Sequence, residues 1–413
     1  NKYNLHIIKT DRFKTINIKI AFKRKIKKEE ITARNLLSAI LLDTSKKYPT
    51  VRDMKIKKED LYGCKVNSNS YHSGKYAILS YNLSFLNECY TEEGMNEQTI
   101  KFFLDTILNP NIKEDGFEEK NFKFACNSLR DYISSENDNP SNYAAIRVNE
   151  IIGRSTSLAY HVSGYIDDLE KLTPNKLYSY YKDIIENDII DVFILGNVGI
   201  DNIQKLFKED IFRTKENKIS DTHEVELEII EKEKEIIEDS DFNQSKLKLV
   251  YSIDSLTEFE RKYVLSVYSF ILGGSADSKL FKEVREKNSL CYYINSSGTW
   301  LYKILEIESG IDKNDYEKAV TLIKKEVEDI KNGKFDNDEL DKVVNYYLNA
   351  CDNIYDSPYD IIHNYQVHEY LGTDLIEVRK EQIRKVTKTD IVNLAQKIHL
   401  KLVYLLKGGK ENE

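Results

Sequence analysis

Arg285 and Tyr292 stand seven residues apart within the stretch Ile271–Ser297. Arginine is a permanent cation with five donors in a fixed fork, and tyrosine carries one phenolic O–H. Gly273-Gly274 lies just upstream, a pair suited to ending a helix and to letting another backbone come close. Together they make a small donor set beside an approachable main chain. On spacing alone, a surface arginine and a half-buried strand tyrosine is the commoner arrangement for so short a motif.

Three elements would hold this set. Tyr263, Val264, Val267, Tyr268 and Ile271 form the apolar face of a helix that stops at the glycine pair. A second helix places Leu280, Phe281 and Val284 on one side. The run Leu290–Ile294 then opens a strand.

Elsewhere the pattern mixes strands and helices. Ile16, Ile18, Ile20 and Phe22 alternate with polar residues, as do Ala77, Leu79, Tyr81, Leu83 and Phe85, so both runs read as strands. Helices are expected over Thr32–Leu42, Glu97–Leu108, Glu118–Ser134 and Tyr143–Ile152. Leu172-Thr173-Pro174 is an N-cap with proline at the first helical position, and that helix feeds the strand Asp191–Leu195.

The order of signals repeats. Phe117 precedes a helix broken at Asp138-x-Pro140, and Phe335 precedes one broken at Asp356-x-Pro358, each Phe-to-Pro spacing being 23 residues. Leu172-Thr173 leads to a strand and Gly196, as Val386-Thr387 leads to Val403–Leu406 and Gly408. The offsets are 218 and 214 residues, so the chain reads as a duplicated α+β domain. We place one domain at 1–213 and the other at 242–413. Between them, 214–241 is dominated by Glu, Lys and Asp and reads as an acidic connector with room for a strand.

The phrase Gly-Gly-x-x-x-Ser-x-Leu-Phe-x-x-x-Arg-Glu-Lys-x-x-Leu-x-Tyr, starting at Gly273, resembles the C-terminal-half signature of the insulinase-like zinc peptidases, which include pitrilysin and the processing peptidases. Tyr160-x-x-x-Gly164, Leu169 and Leu195-Gly196 resemble further parts of that family. The resemblance implies two similar domains of antiparallel-rich sheet with helices packed on it. It also implies that Gly273, Gly274, Arg285 and Tyr292 bind substrate, the arginine and tyrosine steadying the scissile carbonyl.

Active members of that family carry His-x-x-Glu-His on the first helix, where two histidines bind zinc and the glutamate is the general base. No such motif occurs in these 413 residues. Anchored on Lys46-Lys47-Tyr48-Pro49, the histidine positions fall at Asn35 and Ala39 and the glutamate at Ser38. Ala39 has no ligand atom, Asn35 is a poor zinc ligand and Ser38 is no base at neutral pH. The distal ligand would fall near Cys126–Tyr132, which contains no glutamate. His363 and His368 are five residues apart and diverge on a helix, and the remaining histidines are isolated. No metal site is expected in this chain.

Composition narrows the partners. A net charge of −8 argues against nucleic acid, and 31% charged with 41% hydrophobic residues is an ordinary globular balance. Five scattered cysteines without Cys-x-x-Cys spacing fit a reducing compartment, and no apolar run approaches 18 residues, so a cytoplasmic, membrane-free location is expected. By resemblance the chain looks like the silent subunit of a two-chain bacterial peptidase. A homologous partner would carry His-x-x-Glu-His and the zinc, with a peptide or unfolded polypeptide as substrate. The alternative is a structural or assembly protein that keeps the fold for interaction only, and a homodimer is a further possibility for the isolated chain.

Overall fold

A computed structural model describes residues 2–208, 211–212, 221–228 and 232–409. The fold is α+β, built on two five-stranded sheets. In the first, the strands run in the order Asn4–Lys9, Ile189–Gly196, Thr15–Lys25, Tyr76–Leu86 and Lys65–Ser73. In the second, the order is Lys234–Asp239, Ile398–Lys407, Ser245–Ile253, Ile304–Ile311 and Cys291–Thr299. These orders correspond strand for strand. In each sheet the first-named pair is parallel and the others are antiparallel. This is the duplication that the repeated signals imply.

The first sheet uses its alternation as expected. Ile16, Ile18, Ile20 and Phe22 pack with Leu36, Leu37, Ile40 and Leu41 of helix Ile31–Asp43, in a core that also holds Ile100 and Phe103. The same period of two turns Lys19 and Lys23 to the opposite face. In the second sheet, Leu247, Leu249 and Tyr251 meet Val264, Val267, Tyr268 and Ile271. Capping fixes several helix starts. Thr173 caps Pro174–Asn187, and Thr387 and Asp336 form capping boxes for Lys388–Gln396 and Asn337–Asn353.

The chain forms two compact units, and these are not the contiguous stretches taken from the sequence. The first comprises residues 1–135, 160–223 and 357–370; the second comprises 136–159, 224–356 and 371–413. Helix Pro140–Gly153 therefore belongs with the second sheet, and helix Pro358–Leu371 with the first. The physical reason lies on the sheet faces turned away from the main cores, each of which binds the helix supplied by the other half of the sequence. On the second sheet, Ala144, Val148 and Ile152 pack on Val250, Leu402 and Tyr404. Arg147 adds a two-pronged bond to Glu238, 3.1 and 2.7 Å, which also accepts from the Tyr404 hydroxyl at 2.8 Å.

Of the acidic connector, Thr214–Ser220 and Ile229–Glu231 lie outside the described residues, as does the boundary at position 213. Within the same stretch, Lys234–Asp239 is a strand paired with Leu402–Lys407.

Candidate functional site

Gly273 closes helix Leu265–Gly273, and the two glycines serve packing inside the unit. A Cβ on Gly273 would lie 2.7 Å from the backbone nitrogen of Ser296, so the backbone that approaches it is the chain's own strand Cys291–Thr299. Ser296 confirms the contact by donating its hydroxyl to the Ser269 carbonyl at 2.7 Å. A Cβ on Gly274 would meet Phe270, 2.6 Å from its Cα and 2.8 Å from its ring.

Arg285 lies on the next helical segment, Phe281–Lys287, which is wound as a π-helix and anchored by buried Leu280 and Val284. Its guanidinium carbon sits 4.6 Å from the centroid of the Phe281 ring, an exposed cation–π contact. Among the described residues it forms no ion pair with a carboxylate, whereas nearby Lys287 is held by Glu283 at 3.1 Å. The charge remains available.

Ser289, at φ 53°, turns the chain, and Leu290 is tied back to the Val284 carbonyl at 3.0 Å. The strand that follows is the edge of its sheet, and among the described residues one side of its backbone ladder is unpaired by any strand. Cys291 pairs with Ile311 and Tyr293 with Gly310, so Tyr292 is the extra residue of a β-bulge. Its side chain is 72% exposed. Arg285 lies near enough for its charge to act on the adjacent Cys291: burial pushes that thiol up, while a hydrogen bond to Ser309 and the Arg285 cation pull it down. The two donors thus sit on consecutive elements, both facing solvent at one sheet edge.

In the first unit, Asn35, Ser38 and Ala39 lie on the less buried side of helix Ile31–Asp43. Asn35 donates its amide to the carbonyls of Ile31 and Val162, at 3.0 and 2.7 Å, and Ser38 donates to the Asn35 carbonyl at 2.7 Å. Ala39 is exposed. These three side chains do not fit a zinc ion or a general base. Among the described residues, no group of three or more His, Cys, Asp or Glu side chains could hold a metal ion. His363, on helix Pro358–Leu371, is stacked on Tyr359 with ring centroids 6.1 Å apart. Among the described residues no helix is long and apolar enough to cross a membrane.

The sequence did not reveal the polar seam under helix Pro358–Leu371. Lys19 and Lys23 are both buried. Lys19 donates to Gln366 Oε1 at 2.7 Å, and Lys23 lies 3.5 Å from the Tyr370 ring centroid. The Tyr370 hydroxyl donates to Asp191 at 2.9 Å, as does the Asn4 amide at 2.7 Å. Burial lowers Lys19 to about 8 and also pulls His363 down. Burial tends to raise the Asp191 carboxyl, but the hydrogen bond from His6 and the Lys23 charge outweigh it. The signal was available, since alternation places both lysines on one face of Thr15–Lys25, but nothing local says that a distant helix covers that face.

Comparison with known proteins agrees with this architecture. Residues 171–347 match the peptidase M16 inactive domain. The chain is 28% identical over 407 residues to a Bacillus subtilis (strain 168) protein named probable inactive metalloprotease YmfF, covering 98% of this chain and 95% of that one. It is 26% identical over 215 residues to a second protein of that bacterium, named uncharacterized zinc protease YmxG, covering 50% of this chain and 49% of that one. A solved structure, a conserved protein from Enterococcus faecalis V583, matches with a TM-score of 0.92 at 25% identity, over 100% of this chain and 99% of that one.

Proposed function

We propose that this chain, which is similar to the peptidase M16 inactive domain over residues 171–347 and to a probable inactive metalloprotease along nearly its whole length, is the substrate-holding subunit of a two-chain zinc peptidase. The observation that carries the proposal is the pairing of a free Arg285 with a bulge-exposed Tyr292 beside an unpaired strand edge. The chemistry follows from these groups. An extended peptide lends its carbonyls to the guanidinium fork and to the free edge of Cys291–Thr299. The Tyr292 hydroxyl donates to the carbonyl oxygen that gains charge during cleavage, where a fixed donor is worth most.

Zinc and the general base belong, in this reading, to a homologous partner carrying His-x-x-Glu-His, because Asn35, Ser38 and Ala39 cannot supply them. Two relatives in one bacterium, one named an inactive metalloprotease and the other a zinc protease, support such a division of labour. The substrate class is peptide or unfolded polypeptide, and the location is the cytoplasm.

The test begins with a tagged pull-down from the source cells and identification of what co-elutes. A stoichiometric partner of similar size with His-x-x-Glu-His is expected. In the reconstituted pair, Arg285→Ala and Tyr292→Phe are each expected to lower kcat by about a hundredfold. Unchanged turnover in both variants overturns the holding role. A partner that cleaves equally well without this chain moves the assignment to assembly.

A further inference from the structure

A cavity of about 340 Å³ opens in the second unit between helix Leu265–Gly273 and helix Asn337–Asn353. Phe270 and Ile271 form one wall, and Val343 and Tyr346 the other. The Phe270 and Tyr346 rings stand 5.0 Å apart between centroids at an angle of 42°, and Tyr346 is 53% exposed. A volume in this range suits one bulky side chain. Of the lining charges, Lys282 pairs with Asp277 at 3.6 Å, Lys342 is drawn to neighbouring Asp338 at 2.6 Å, and Glu339 accepts from the Asp336 backbone N–H at 3.0 Å. Such a lining offers no net attraction to a charged guest, and the walls offer aromatic faces.

The cavity and the strand edge share helix Leu265–Gly273, which lines the one and packs on the other. Gly274 turns over Phe270, where a side chain would displace the ring that forms the wall. Gly273 seats the same helix directly on Ser296 of strand Cys291–Thr299. Ile294 and Ser296 are buried on the sheet face that this helix covers. A peptide added along the free edge alternates its side chains between the two faces. Every second one is directed to the face that carries helix Leu265–Gly273.

We infer that this cavity is a specificity subsite that takes an aromatic side chain of the bound peptide. The inference rests on the holding role proposed above and adds to it the class of residue that is recognised.

Two capped, fluorescein-labelled peptides serve as probes, identical except for phenylalanine or alanine at the centre. Anisotropy titrations are made with the intact chain, with Tyr346→Ala, with Val343→Phe to fill the cavity, and with Arg285→Ala. Circular dichroism melts check that each variant is folded, and exposed Tyr346 carries the test if Val343→Phe does not fold. The phenylalanine peptide is expected to bind about tenfold tighter, with that advantage collapsing in both cavity variants. Both peptides are expected to weaken with Arg285→Ala.

Equal affinity for the two peptides, each dependent on Arg285, overturns the subsite and leaves the holding role standing. An aromatic preference that depends on Tyr346 but not on Arg285 supports the subsite and overturns the holding role. Absence of binding by either peptide overturns both.

Discussion

Tyr292 owes its exposure to a single inserted residue. Without the bulge, strict alternation would put it on the face of Ile294 and Ser296, both of which are buried. The same scale governs the seam in the first unit. Lys19 keeps a folded pKa of about 8 because burial penalises its charge, whereas in the unfolded chain it titrates near the ordinary lysine value. Between these two values the unfolded state binds more protons, so stability should rise as pH climbs from 8 towards 10. Urea melts should show this rise, and Lys19→Met should diminish it while raising stability at neutral pH, the remainder coming from lysines such as Lys23 that burial also lowers.

His72 and His223 give the opposite arm. Burial holds each at about 4, so both are neutral in the fold, and stability should fall as pH drops below about 6.5 towards 4. Arg34 tests a buried ion pair, since its guanidinium bonds Asp188 at 2.6 Å and the Phe22 carbonyl at 2.5 Å. Arg34→Met leaves Asp188 with the Arg24 contact alone and should cost about 3–5 kcal/mol in denaturant melts. The sequence made the donor set legible because Arg285 and Tyr292 sit in a dense local phrase. It hid these buried charges because their partners lie far away, Asp188 being 154 residues from Arg34 and Gln366 being 347 from Lys19.

Elements became legible where one face is apolar and the other wet. The strand Thr15–Lys25 and helix Asn337–Asn353 show their period plainly, and both lie where the pattern places them. Helix Pro358–Leu371 has no such stripe, because much of what it covers is the polar seam of Lys19, Lys23 and Asp191. Strand Lys234–Asp239 is inconspicuous in a run of charges because it is an edge, paired on one side only. The glycine pair was legible as a helix stop, while its packing role needed the Ser296 contact to be seen. Gly273→Ala should force helix and strand apart and cost about 1–3 kcal/mol, read as a shift in the urea midpoint without a change in slope.

For the whole molecule, the repeat was visible, and its two Asp-x-Pro breaks mark more than helix ends. Pro140 and Pro358 open the two helices that each join the unit built mainly from the other half of the sequence. A proline at the first helical turn restarts the chain in a new direction at little cost, which accounts for the break. No one-dimensional pattern tells which sheet the restarted helix will join. A fragment ending at 223 lacks helix Pro358–Leu371 and should melt at lower urea than the intact chain. A synthetic peptide of residues 357–371 should raise its midpoint.

The exchange also sets a timetable. As the chain leaves the ribosome, helix Pro140–Gly153 exists before the sheet it will cover, so the apolar face of Val250, Leu402 and Tyr404 meets its lid at birth. The first sheet must wait for residues 358–371, an interval on the order of ten seconds or more at ordinary rates of synthesis. The face that waits carries Lys19, Lys23 and Asp191 among apolar neighbours such as Ile78 and Phe193, so water can wet a part of it. The buried charges that weaken the finished fold are also the groups that hold water on this face while its cover is still being made.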